Sequence, residues 1–163
     1  FQAAADRDFE KIHHPGTFNA NPLSAAAGSK TLEIIAGSDA CTRAAAFGVT
    51  LRQKLNDTFA RTSVAWAAYG QQANFFIFMN GTGLDIDPLS FDPLAMPYKD
   101  LKAKPPALLN KLRLALLIGG VDFSGAGGGV ISATHDADDL EMTVAAFEQA
   151  VTMLAAEESL PRL

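Results

Sequence analysis

Apolar residues recur at helical spacing in three segments of the chain. Over 39–60, Ala44, Phe47, Leu51 and Leu55 fall on one face, while Arg43, Arg52, Lys54 and Asp57 fall mostly elsewhere. A second segment, 105–118, opens on Pro105-Pro106 and carries Leu108, Leu109, Leu112, Ala115 and Leu116. The clearest pattern comes last, where Leu140, Val144, Phe147, Val151 and Leu154 line one face. Thr134 or Asp136 can cap that helix, and Asp138, Asp139 and Glu141 suit the positive end of its dipole. A further helix is announced by its start rather than its stripe. Asn21 stands as N-cap, Pro22 at the first helical position, and Gly37 at the stop, so a helix over 21–36 is expected.

Between these lie short runs rich in aromatic and branched residues. Those at 64–69 and 75–79, separated by Gly70-Gln71-Gln72, read as two paired strands. Strands are also expected at 121–123 and 130–133, joined by Gly125-Ala126-Gly127-Gly128-Gly129. Pro88, Pro93, Pro97 and Pro105 interrupt 80–106, which reads as a long loop of the kind that is usually functional or mobile. The apolar run 114–118 reads as buried core. Together these predict a helix-rich α+β domain whose small, mostly antiparallel sheet is covered by helices.

Composition narrows the function. Hydrophobic residues make up 48% and charged residues 19% of 163 positions, which suits a globular domain with a real core. A net charge of −5 without a basic block argues against nucleic acid. No apolar run approaches the roughly 20 residues needed to span a bilayer. Cys41 is the single cysteine, so no internal disulfide can form, and the composition fits a reducing cytoplasm. The first residues, Phe1-Gln2-Ala3, are neither a start methionine nor a signal peptide, and read as the middle of a longer chain.

Most familiar catalytic patterns are missing. There is no nucleophile elbow, Walker loop, HExxH or EF-hand. His13 and His14 are adjacent and His135 is remote, so no histidine metal site is expected. The glycine run at 125–129 lacks the following helix that a phosphate cradle needs, and reads as a connection between strands. Ser132, Thr134 and His135 read as residues of the entry to the last helix. What remains is 14–28. Gly16 leaves backbone room, Thr17 offers a hydroxyl and an N–H, and a helix N-terminus begins nearby; that combination suits either an anion such as phosphate or an ordinary turn and cap.

The string Gly16-Thr17-Phe18-Asn19-Ala20-Asn21-Pro22-Leu23-Ser24-Ala25-Ala26-Ala27-Gly28 resembles a signature of the class III aminotransferases, which depend on pyridoxal phosphate. Extended through Thr31-Leu32-Glu33-Ile34-Ile35, it most resembles the glutamate-1-semialdehyde 2,1-aminomutase branch. Two weaker strings follow in order. The segment 112–121 resembles the family's helix leading to a Gly-Val strand, and 132–140 its Ser-x-x-His entry to the final helix.

The resemblance implies a dimeric, cytoplasmic fold-type I enzyme acting on a small amino acid or amino aldehyde. It implies that Thr17, with Gly16 shaping the loop, contacts the phosphate of the partner subunit's cofactor. It also divides the chain into 1–20 (end of the large domain, with the interface phosphate loop), 21–36 (linking helix) and 37–163 (C-terminal small domain). The lysine that binds the cofactor belongs upstream of the Gly-Thr motif. None of Lys11, Lys30, Lys54, Lys99, Lys102, Lys104 and Lys111 matches it, so no catalytic residue is expected here and the chain alone is expected to be inactive. Two alternatives are an intermolecular ω- or β-amino-acid transaminase of the same family and a stand-alone α+β binding module without catalysis.

Overall fold

The computed structural model describes Gly16, residues 21–157 and residues 160–163. The chain divides into two units, Phe1–Ser38 and Asp39–Leu163, each described by itself.

In the first unit, helix α1 spans Pro22–Ala36. Proline at its first position costs no hydrogen bond, because that N–H would be unpaired in any case. Asn21 Oδ1 accepts from Leu23 N at 3.0 Å and Ser24 N at 3.2 Å. At the other end Gly37 N–H bonds Glu33 O.

The second unit is built from α2 (Ala40–Arg61), β1 (Ala67–Tyr69), β2 (Asn74–Phe78), a short α3 (Tyr98–Lys102), α4 (Pro106–Ile118), β3 (Gly128–Val130) and α5 (Ala137–Glu157). The strands form an antiparallel sheet in the order β1-β2-β3. Ala67 pairs with Phe78 and Tyr69 with Phe76; on the other side Asn74 pairs with Val130 and Phe76 with Gly128. This α+β arrangement agrees with the fold class expected from sequence.

Alternation along β2 sends its residues to two different layers. Phe75 and Ile77 join the main core with Leu51, Leu55 and Phe59 of α2, Leu112 and Leu116 of α4, and Phe147 and Val151 of α5. Each such side chain contributes about 1.5–3 kcal/mol on burial. Trp66 is fully buried there, edge-on to Phe59 at 5.9 Å, and its Nε1 has no acceptor among the described residues. On the opposite face Phe78 stacks on Phe91 at 5.2 Å, and Tyr69 packs against both Phe76 and Phe91. The proline-rich segment 80–106 therefore serves as the cover of the sheet's second face. It is not featureless: it holds a 3-10 turn at Pro88–Ser90, the short α3, and buried Asn80, whose amide bonds both N and O of Leu84 at 2.8 Å.

Polar side chains fasten α2 to the hairpin. Asn56 accepts from Ala68 N at 2.6 Å and donates to Ala68 O at 3.1 Å. Arg52 Nη1 donates to the carbonyls of Gln72 and Asn74 at 3.0 and 2.8 Å.

Three expectations need correction. The strand expected at 130–133 lies at Gly128–Val130, and 121–123 forms no strand. The cause is steric. A Cβ on Gly128 would run into Phe75 O and the Phe76 ring, and one on Gly129 would lie 2.7 Å from Phe75 Cε1, so only glycine backbone fits against β2. The strand expected from residue 64 begins at Ala67; Val64 instead makes an isolated bridge to Arg162. Finally, 114–118 is not uniformly buried. Ala115 and Leu116 are, but Leu114, Leu117 and Ile118 are exposed, since five successive helical residues sweep more than a full turn.

Candidate functional site

The phosphate reading of 14–28 falls partly outside the described residues. Thr17 is not among them, while Gly16 is described, exposed and in no regular element. The neighbouring helix end can be tested directly. Pro22 has no N–H, those of Leu23 and Ser24 are taken by Asn21 Oδ1, and that of Ala25 bonds Asn21 O at 2.9 Å. The first turn of α1 thus presents no free backbone donor, and its cap closes the end to an anion. A phosphate contact here would have to come from the Gly16-Thr17 loop itself.

The residues of the α5 entry turn out to be local fasteners. Ser132 Oγ lies 2.6 Å from Thr134 Oγ1 and accepts from Thr134 N at 3.0 Å. Asp136, rather than Thr134, caps α5: its Oδ1 accepts from Asp138 N at 3.0 Å and Asp139 N at 3.1 Å, while Asp139 Oδ2 accepts from Asp136 N. This reciprocal arrangement satisfies donors on both sides of the helix start. His135 Nδ1 lies 3.0 Å from Ser132 N and 3.2 Å from Ser132 O. The amide can only donate, which makes Nδ1 the acceptor and puts the ring proton on Nε2. Cys41 is exposed in the first turn of α2.

His135 also lines a cleft of the second unit, about 450 Å³, which lies among α2, α4, β3 and the 121–131 segment. Arg113 lines it too, a residue that stands out in the sequence only as part of a helix string. Its position carried a signal: residue 113 shares a helix face with buried Leu109 and Leu116, an unusual place for a guanidinium. Arg113 Nε donates to Phe123 O at 2.9 Å.

A second cationic side chain lies against aromatic rings. Lys104 Nζ bonds Ala126 O and sits 5.3 Å from the centre of the Phe76 ring. Burial, and to a lesser degree the nearby charge of Lys102, pulls its pKa below the usual lysine value. Burial likewise raises Tyr69 above the ordinary phenol value. Among the described residues no group of three or more His, Cys, Asp or Glu could hold a metal ion, and no helix is long and apolar enough to cross a membrane.

No known family profile matches the sequence, and no curated protein matches it either. Solved structures do. A β-phenylalanine aminotransferase from Variovorax paradoxus is 26% identical with a TM-score of 0.64, covering 99% of this chain and 35% of its own. An ω-transaminase from Sphaerobacter thermophilus is 25% identical with a TM-score of 0.66, covering 86% and 30% respectively. A transaminase with PLP bound is 20% identical, also at a TM-score of 0.66, covering 90% and 30%. The chain has the fold of one portion of these transaminases and spans about a third of their length.

Proposed function

We propose that this chain is the C-terminal part of a pyridoxal-phosphate-dependent aminotransferase of the class III type. The observation that carries the reading is the likeness to the β-phenylalanine aminotransferase, which runs along 99% of this chain at 26% identity. Residues 1–20 would close the large domain, 21–36 link the domains, and 37–163 form the small domain.

Bound pyridoxal phosphate would supply an electron sink for charge developing at the amino-bearing carbon. The part of this chain in that chemistry is binding. Thr17 would offer its hydroxyl and backbone N–H to the phosphate of the partner subunit's cofactor, with Gly16 leaving the backbone room to approach. The self-capped end of α1 supports giving this role to the loop. The lysine and the aspartate that hold the cofactor would come from sequence outside these 163 residues, in a cytoplasmic homodimer.

Intermolecular transfer between an ω- or β-amino acid and a keto acid is the first reading, supported by the likeness to an ω-transaminase at 25% identity and a β-phenylalanine aminotransferase at 26%. The string 16–35 favours a second reading, the glutamate-1-semialdehyde 2,1-aminomutase reaction, an internal exchange that feeds tetrapyrrole synthesis.

Two measurements test the proposal. The 163-residue chain, incubated with cofactor and amino donor, is expected to give no transfer; sustained turnover would overturn the assignment of the lysine elsewhere. In the protein completed by its large domain, Thr17→Ala is expected to weaken cofactor binding about tenfold, roughly 1.4 kcal/mol. Unchanged cofactor affinity would remove Thr17 from the phosphate site. Supplying glutamate 1-semialdehyde without a second acceptor separates the readings, since only the mutase turns it over repeatedly.

A further inference from the structure

The cleft beside α4 combines an apolar wall with an unmatched cation. Phe47, Phe75, Phe123 and Ile131 line it, and the rings of Phe75 and Phe123 lie 6.0 Å apart. Arg113 is half-buried at the same wall. Its Nε is spent on Phe123 O, which fixes the guanidinium plane. Its two terminal nitrogens have no hydrogen bond or ion pair among the described residues. Asp122 also borders the cleft, yet it is exposed and forms no ion pair with Arg113. A guanidinium that has given up part of its water while its terminal nitrogens gain no partner is matched best by a carboxylate, which can take both terminal N–H groups at once. His135 adds a ring N–H donor. With Nδ1 held by Ser132 N, its Nε2–H has no partner among the described residues.

We propose that this cleft binds a small carboxylate with an apolar body of about the size of an aryl group. The carboxylate lies on the terminal nitrogens of Arg113, and the body lies against Phe75, Phe123 and Ile131. A volume of about 450 Å³ is within the range of small-molecule sites and leaves room for such a ligand. The proposal does not depend on the transaminase reading, since every residue it uses lies between 47 and 135 in one unit.

Titration of the isotope-labelled full chain with phenylacetate, followed by amide resonances in NMR, tests it. Saturable shifts are expected at Phe123, Gly129 and Ile131, with a dissociation constant of the order of millimolar. Phenylacetamide, which has the same body without the charge, is expected to bind about tenfold more weakly. Arg113→Gln should abolish that preference while leaving far-ultraviolet circular dichroism unchanged. Absence of saturable shifts at the cleft, or equal binding of acid and amide by the wild type, would overturn the proposal. Should the variant fail to fold, the acid–amide comparison in the wild-type chain decides the matter alone.

Discussion

At the scale of the residue, Gly48 shows how a helix interior can require the poorest helix former short of proline. It is buried on α2 where the hairpin turn passes. A Cβ there would overlap Gln72 O and lie 3.1 Å from Arg52 Nη1 and 3.4 Å from Ala73 Cα. Replacement by alanine would bring about 1 kcal/mol of helix propensity. The overlap is with a backbone carbonyl that Arg52 holds in place, so overpacking at about 1–3 kcal/mol outweighs that gain. Gly48→Ala is therefore expected to destabilise the fold, read as a lower urea midpoint at unchanged slope. A rise in the midpoint would show that the hairpin yields.

At the scale of the element, α2 and α5 are tied by Arg61 and Glu148, the guanidinium reaching both carboxylate oxygens. The hydrogen bonds from Arg61, aided by its charge, hold the Glu148 carboxyl below the usual glutamate value. Since the folded-state pKa is the lower one, the pair's contribution is complete above the ordinary glutamate range near pH 4.3. It is lost as pH falls through the folded value. Wild type and Glu148→Gln should accordingly differ in urea midpoint at neutral pH and converge on acidification. Both groups are solvent-exposed, so the difference should also shrink in high salt. A gap that persists in acid would mean the carboxylate charge plays no part.

The same scale shows what could be read in advance. Helices α2, α4 and α5 were legible because a buried stripe every three to four residues has no other reading, and α1 because Asn21-Pro22 is a start signal with a mechanism. Strand β3 was misplaced because glycines have no side chains to alternate. Its reason for existing lies on β2, in the rings of Phe75 and Phe76. The role of 80–106 was likewise hidden, since Phe91 gains meaning only once Phe78 and Tyr69 are brought beneath it. Of the candidate sites, the Gly16-Thr17 loop could be named from sequence, while the cleft could not. Arg113 and His135 are brought to it by the packing of α4 and the α5 entry.

At the scale of the whole molecule, the exposed side chains Leu114, Leu117 and Ile118 place a patch of hydrocarbon on α4. Such patches favour self-association. Leu117 is 58% exposed, so Leu117→Lys removes apolar surface without opening the core. The variant is expected to keep the wild-type melting temperature and to scatter less light at a given concentration. A large drop in melting temperature would show that Leu117 is packed after all.

The core, by contrast, is sealed around Trp66, the one tryptophan in the sequence. Its indole is shut away from water and has no acceptor among the described residues, so the surrounding medium acts on its excited state as a hydrocarbon would. The protein thus carries a single indole in its core, and the colour of its emission, excited where tyrosine does not absorb, reports whether that core is closed.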